Sequence, residues 1–146
     1  MEIFSHIVQF KNYQRKIINQ NNKENYFENG RIVLKKHTIN LITIEEHGQF
    51  VKGRYTNKTL NYYQWQFINK HQLQLSHLRN TEQNAEQLVT FNVPSSNFDC
   101  ITSTPYFCGQ DCYQANLNFT NNKFMLTWLV NGPKKDLLIE STYFIK

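Results

Sequence analysis

Apolar residues near the amino terminus recur at the spacing of a helix. Four of them fall on one helical stripe at the start of the chain, namely Ile3, Phe4, Ile7 and Val8. The pattern predicts a short helix over residues 1–8 with a single apolar face. Such a helix is suited to plugging one end of a β-barrel.

From residue 13 onward, apolar and polar residues alternate with a period of two, which is typical of half-buried β-strands. About nine or ten short strands are predicted, at residues 13–18, 30–36, 39–46, 50–55, 60–67, 73–78, 88–93, 113–119, 124–130 and 137–145. A turn is predicted at residues 46–49, a polar run lies at 80–87, and residues 94–109 are expected to form the longest loop.

Short strands joined by short turns, with almost no helix, are typical of antiparallel sandwiches and barrels. The prediction is an all-β fold, an antiparallel up-and-down barrel with a short N-terminal helix. Trp128 is expected inside, because it alternates in phase with Phe124, Leu126 and Val130. The sequence contains no internal repeat or linker, so residues 1–146 are predicted to form a single domain.

Charge and composition narrow the classes of partner. The net charge is +5, but the lysines and arginines are scattered along the chain, which argues against a nucleic-acid-binding face. Apolar runs stay well short of the roughly 18 residues that a membrane helix needs. Three cysteines, an odd number, follow a start that does not resemble a signal peptide, so a cytoplasmic protein with reduced thiols is expected.

The most distinctive motifs lie in the last forty or so residues. They are Cys108-Gly109-Gln110-Asp111-Cys112-Tyr113, then Trp128-Leu129-Val130-Asn131-Gly132-Pro133-Lys134-Lys135-Asp136, and a closing Tyr143. Weaker matches precede them in order: Tyr13-Gln14-Arg15, Gly30, Ile44-x-Glu46-x-Gly48, Tyr63 and Trp65. Together they resemble the DUF6314 family of domains of unknown function, whose pattern runs His-x-Cys-x-x-Asp-x-Tyr, then Trp-x-Val-x-Gly-Pro-x-Lys-Asp.

The resemblance covers almost the whole chain and implies a calycin or lipocalin-like barrel. It implies no activity, since the family has none assigned. Three positions depart from the pattern: Tyr106 stands where His is frequent, Asn61 where Arg is common, and Tyr13 where the family has Trp. A mechanism that required the family's histidine is therefore in doubt for this chain.

Arg15 is the first candidate binding residue. If Tyr13 and Ile17 point inward, alternation points Arg15 inward as well. An interior guanidinium can hold a ligand carboxylate through two parallel N–H donors. The alternative is a structural one, in which Arg15 caps the barrel end, stacks on an aromatic ring and pairs with Asp or Glu.

Asp111 and Tyr113 share a strand face and could offer a ligand an acceptor and a donor. The alternative for Asp111 is to accept backbone N–H bonds at the end of the long loop. Aromatic residues on other strands would supply an apolar lining, as small-molecule sites require: Tyr63, Trp65, Phe67 and Trp128.

Catalytic and metal sites find less support. Cys108, Cys112 and Cys100 lack the fourth ligand of a zinc site, and the sequence places no base beside a cysteine nucleophile. Glu45, Glu46 and His47 are expected at a solvated hairpin tip. No catalytic or metal-binding residue is assigned. Haem binding through one of five histidines is a minor alternative, and the cofactor is left open.

The favoured function is the binding of a small molecule, amphipathic or aromatic with an anionic end, by Arg15, Tyr63, Trp65, Asp111, Tyr113 and Trp128. Two alternatives stay open. One is a small enzyme whose active site in the barrel is formed by Asp111, Tyr113 and Arg15. The other is a surface module that interacts with other proteins and whose barrel is filled by its own side chains. The sequence leaves the oligomeric state open.

Overall fold

A computed structural model describes residues 2–78, 85–94, 99–120 and 122–145. The predicted amino-terminal helix is confirmed as α1 (Glu2–Ile7). Eleven strands follow in the described part of the chain: β1 (Asn12–Asn19), β2 (Asn25–His37), β3 (Leu41–Lys52), β4 (Tyr55–Asn69), β5 (Gln72–Leu78), β6 (Ala85–Asn92), β7 (Cys100–Thr102), β8 (Tyr106–Cys108), β9 (Asp111–Phe119), β10 (Lys123–Asn131) and β11 (Asp136–Phe144).

The strands form one antiparallel sheet that curls into a nearly closed barrel, as predicted. Its order is β6-β5-β4-β3-β2-β1-β11-β10-β9-β7, with β8 also paired to β9. The two ends of this order meet at a narrow seam. An isolated bridge joins Phe91 to Ser103, and the Thr104 amide donates to the Thr90 carbonyl at 3.0 Å.

Helix α1 closes one end of the barrel because its apolar face finds an aromatic layer there. Ile3, Phe4 and Ile7 are buried, and the Phe4 ring lies 5.0 Å from that of Phe67, centroid to centroid. Just after the helix, the rings of Phe10 and Phe124 are also 5.0 Å apart. The β1–β2, β3–β4 and β10–β11 hairpins lie at the opposite end.

The turn predicted at residues 46–49 is wrong. Strand β3 runs straight through this segment, and the chain reverses later, at Gly53, which has a φ of 58°. Gly48 serves close packing instead: it pairs with Gly30 across β2 and β3. A Cβ atom on Gly48 would lie 2.1 Å from the hydroxyl of Tyr13, so the missing side chain makes room for that ring.

The loop predicted for residues 94–109 is also corrected. It contains β7 and β8, which both pair with β9, and residues 95–98 lie outside the described part of the chain. Three-residue strands are too short for alternation to be recognised in a sequence. Part of the polar run at 80–87 falls outside the described residues, and β6 begins at Ala85.

The glycine contact between β2 and β3 can be tested by adding one methyl group. A Cβ atom on Gly30 would lie 2.1 Å from the His47 carbonyl oxygen, which is backbone and cannot rotate away. We expect Gly30→Ala to lower the free energy of unfolding by roughly 2–3 kcal/mol, because the two strands must separate. Urea denaturation would measure the loss.

Gly53→Ala is the matched control, because it adds the same methyl group where no atom lies within 4 Å. Only the positive φ is then strained, at a cost of about 1 kcal/mol. Equal losses in the two variants would contradict a tight contact at Gly30.

Candidate functional site

A cavity of about 300 Å³ opens inside the barrel. None of the described lining residues belongs to α1, and the walls come from strands β1–β5 and β9–β11. Most of the lining is aliphatic or aromatic, and the polar groups are few. The lining residues are Arg15, Ile17, Glu28, Ile44, Asn61, Tyr63, Trp65, Leu75, Tyr113, Leu126, Trp128, Val130, Ile139 and Tyr143.

The polar part of the wall is built around Arg15, which β1 directs into the barrel interior. Its Nη1 lies 3.1 Å from Glu28 Oε1, and its Nη2 lies 2.8 Å from Glu46 Oε1. Its Nε donates to the Ser141 hydroxyl at 2.7 Å. All three guanidinium nitrogens therefore have partners within the protein.

Both carboxylates are held by further donors. Glu28 Oε2 accepts hydrogen bonds from the hydroxyls of Tyr13 and Thr59 and, at 3.4 Å, from the Asn61 amide. Glu46 Oε2 accepts one from the Tyr143 hydroxyl at 2.7 Å. The two carboxylates and Arg15, together with these donors, form a connected network that we call the Arg15 cluster.

Burial shifts the pKa values of titratable groups in the Arg15 cluster and beside it. Desolvation alone would lower the pKa of Arg15, but the neighbouring Glu46 carboxylate and other groups outweigh it, so that the pKa is raised and the guanidinium stays charged. Desolvation also raises the pKa of Tyr63 and Tyr143, with Glu46 as the next cause. It raises that of Tyr13 as well, followed by the hydrogen bond to Glu28. All three hydroxyls are therefore neutral at physiological pH, and those of Tyr13 and Tyr143 donate to the two carboxylates.

Five of the six residues predicted to bind a ligand are brought together around the cavity: Arg15, Tyr63, Trp65, Tyr113 and Trp128. Asp111 is not among the described residues that line it. Its carboxylate lies against Gly132 in the β10–β11 turn, and its Oδ2 is 3.5 Å from Lys135 Nζ. Phe67, predicted as lining, packs on the helix instead.

The contacts of Arg15 match the structural alternative, in which it stacks on an aromatic ring and pairs with acidic residues. It pairs with two glutamates, and its Cζ atom lies 5.0 Å from the centroid of the Tyr13 ring. The prediction of an anionic ligand rested on an Arg15 without internal partners. The two carboxylates remove that basis.

A profile of the family described as "Family of unknown function (DUF6314)" matches residues 11–144. The chain belongs to this family. The DUF6314 barrel is also similar to a solved structure of a redesigned β-barrel, mFAP1, bound to DFHBI. The sequence identity is 9% and the TM-score 0.47, with 95% of this chain and 96% of that chain covered. No functionally curated protein matches the sequence. The calycin relationship implied by the family resemblance stays a prediction.

Sequence reasoning missed Glu28 and Glu46 as site residues of the DUF6314 barrel. The signal for Glu46 was present, since Ile42, Ile44 and Glu46 alternate in phase and are all buried. The false turn at residues 46–49 hid it. Glu45 and His47 do point outward, where His47 Nε2 lies 2.8 Å from Glu45 Oε1.

The described residues also bear on metal binding and on membrane insertion. Within the described ranges, no group of three or more His, Cys, Asp or Glu side chains is arranged to hold a metal ion. No described helix is long and apolar enough to cross a membrane. The three cysteines are free thiols, and two of them, Cys100 and Cys108, are exposed.

Removing the cation from the Arg15 cluster should destabilise the fold strongly. Arg15→Met leaves two carboxylates without their counter-charge, and breaking a buried ion pair costs about 3–5 kcal/mol. We expect a loss of this size in urea denaturation. Adding Glu46→Gln should restore part of it, because one buried charge is then removed.

Arg31→Met is the control for this experiment, because Arg31 is an exposed arginine on β2. It should change stability by less than about 0.5 kcal/mol. If Arg15→Met were as stable as the wild type, the ion pairs would not be a structural requirement.

The three perturbed tyrosines predict how stability depends on pH. Their pKa values are raised in the folded state, so the folded protein retains protons that the unfolded chain releases above about pH 10. Their contribution is therefore complete below that pH and is lost as the pH rises further. Tyrosinate absorbance should show that these three of the eight tyrosines ionise only with unfolding.

Tyr63→Phe should weaken this alkaline loss without lowering stability at neutral pH, because no described residue hydrogen-bonds to the Tyr63 hydroxyl. If all eight tyrosines titrated reversibly in the folded protein, the pKa assignments would be refuted.

Proposed function

We propose that the DUF6314 barrel binds a small molecule with an apolar, ring-containing body inside its cavity. One observation carries this proposal. The helix end of the barrel is filled by packed aromatic side chains, yet about 300 Å³ beside the Arg15 cluster is left open. A mostly apolar cavity with a few converging polar groups is the usual form of a small-molecule site.

The lining indicates the shape of the ligand. Trp65 and Trp128 lie on opposite parts of the sheet, on β4 and β10, and both line the cavity. Aliphatic side chains such as Ile17, Leu75 and Ile139 complete the apolar walls. A flat ring placed among them would bury most of its surface, and this contact would supply most of the affinity.

The cavity also bears on the two alternative functions. A surface module was expected to have a barrel filled by its own side chains, and the open volume argues against that arrangement. For an enzyme, Arg15 and Tyr113 do line the cavity, but Asp111 pairs with Lys135 elsewhere. More of the residues expected for binding than of those expected for catalysis are therefore brought together around the cavity.

The proposal can be tested on the protein purified from its own cells. Native mass spectrometry should detect a co-purifying small molecule, and its removal should change the fluorescence of the two tryptophans, since both line the cavity. Ile139→Phe inserts a ring into the same space, because Ile139 faces the cavity between its paired neighbours Ile17 and Trp128. We expect this variant to lose the bound molecule.

Leu129→Phe is the matched control. Leu129 lies on β10 next to Trp128 in the sequence, but it is exposed and is not among the residues that line the cavity. This variant should retain the molecule. If the wild type and Ile139→Phe carried the same adduct, the molecule would lie elsewhere and the proposed function would be wrong.

A further inference from the structure

We propose that the ligand carries a positively charged nitrogen, and that this ammonium group binds between Glu28 and the Tyr63 hydroxyl. The proposal deepens the proposed function and rests on it. It names the chemical class of the ligand, an organic amine with an apolar or aromatic body. It also replaces the anionic end that the sequence suggested.

The charges of the Arg15 cluster give the first argument. Arg15 supplies one positive charge, whereas Glu28 and Glu46 supply two negative charges, and the tyrosines around them stay neutral. With both carboxylates ionised, the cluster is one positive charge short of balance. Inside a barrel this deficit is poorly screened, so a cation is attracted and a second anion is repelled.

The two carboxylates are not equally accessible from the cavity, and this difference indicates which of them a ligand would contact. Glu46 is fully buried and does not line the cavity, whereas Glu28 does. Glu28 Oε2 accepts three hydrogen bonds, but among the described residues Oε1 accepts only the one from Arg15. A carboxylate oxygen can accept about two, so Oε1 has a lone pair left for an N–H donor.

Tyr63 gives a second and independent observation. Its ring lines the cavity on β4, and its hydroxyl makes no hydrogen bond to any described residue. Burial raises the pKa of Tyr63, so the hydroxyl is neutral and its oxygen can accept a hydrogen bond. No buried side-chain polar atom of the described residues lacks a partner, so the Tyr63 hydroxyl is accessible from the cavity, where a ligand or water can bind to it.

The rest of the lining suits the same class of ligand. Trp65, Trp128 and Tyr113 present aromatic rings to the cavity, and their faces attract cations. Among the described lining residues, Arg15 is the only cationic side chain, and it is paired with both glutamates. Lys135 interacts with the hydroxyl of the lining residue Tyr113, but it is also paired with Asp111, so this pair adds no net charge.

The net charge of +5 does not oppose this conclusion. The surface lysines and arginines are separated from the cavity by the barrel wall and by water, and their field decays over a Debye length of about 8 Å at physiological salt. They would slow the approach of a cation, whereas the Arg15 cluster acts at contact distance and determines the affinity.

Three probes of similar size and different charge test the proposal: phenethylamine, phenethyl alcohol and phenylacetate. Titration calorimetry on the full chain at neutral pH should show the amine binding about ten- to a hundredfold more tightly than the alcohol, as expected for a charge-assisted hydrogen bond. Phenylacetate should bind most weakly of the three.

Variants then assign the preference to named groups. Glu28→Gln should bring the affinity for the amine down to that for the alcohol, and Glu45→Gln should change neither, because Glu45 faces outward against His47. Thermal melting would show whether Glu28→Gln is folded. If it is not, Tyr63→Phe provides the test, with an expected loss of about fivefold for the amine.

Each other outcome overturns the proposal. Equal affinities for amine and alcohol would mean that the cluster has taken up a proton and carries no excess charge. Tightest binding of phenylacetate would restore an anionic ligand at Arg15. Binding of none of the three would mean that the cavity does not hold an ammonium group on an aromatic body, and the proposal would be wrong. The proposed function fails separately, if Ile139→Phe retains the molecule that co-purifies with the wild type.

Discussion

A guanidinium inside a β-barrel requires carboxylates, and this requirement organises the DUF6314 barrel. Arg15 on β1 forms ion pairs with Glu28 on β2 and Glu46 on β3, and it donates hydrogen bonds to the hydroxyls of Ser141 and Tyr143 on β11. These four strands are consecutive in the sheet. A buried ion pair is weak evidence for net stability, since desolvation offsets most of the attraction. We infer that its effect is on specificity: a shift of register in β1, β2 or β3 would leave a buried charge without its partner, and a shift of β11 would remove two hydrogen bonds from Arg15.

The glycines at positions 30 and 48 are the steric condition for this arrangement. They face each other across β2 and β3, and the Tyr13 side chain occupies the space above Gly48, from where its hydroxyl donates to Glu28. A side chain at position 48 would displace Tyr13 and so remove a donor from Glu28, whereas one at position 30 would push β2 and β3 apart.

Much of the fold could be predicted from the sequence, because alternation is strong wherever one strand face is buried. The helix, the barrel and the inward direction of Arg15, Tyr63, Trp65 and Trp128 all follow from periodicity. What failed was local. Gly48 was interpreted as a turn residue because glycine is common in turns, whereas here it permits close packing between strands. That one error hid Glu46, and without Glu46 the charge balance of the interior could not be worked out.

The partners of Arg15 could have been anticipated in kind but not in identity. An inward arginine predicts an acidic partner on physical grounds. The up-and-down barrel predicts the second and the last strand as neighbours of β1, but it does not give the register, and Glu28 lies outside the strand predicted at residues 30–36. The neighbour β11 comes from the far end of the chain, so contacts such as Arg15 with Ser141 depend on how the barrel closes. Asp111 shows the converse: it is in phase with the lining residue Tyr113, yet its carboxylate pairs with Lys135 and is not among the described residues that line the cavity.

The same balance of charges couples the structure of this barrel to the proposed ligand preference. An anion that bound Arg15 would have to compete with Glu28 and Glu46, and any carboxylate it displaced would remain in a low-dielectric interior without its cation. A cation displaces nothing, since it adds a donor to Glu28 Oε1 and lessens the excess negative charge. Binding of a cation is therefore expected to stabilise the fold, whereas binding of an anion to Arg15 is expected to destabilise it.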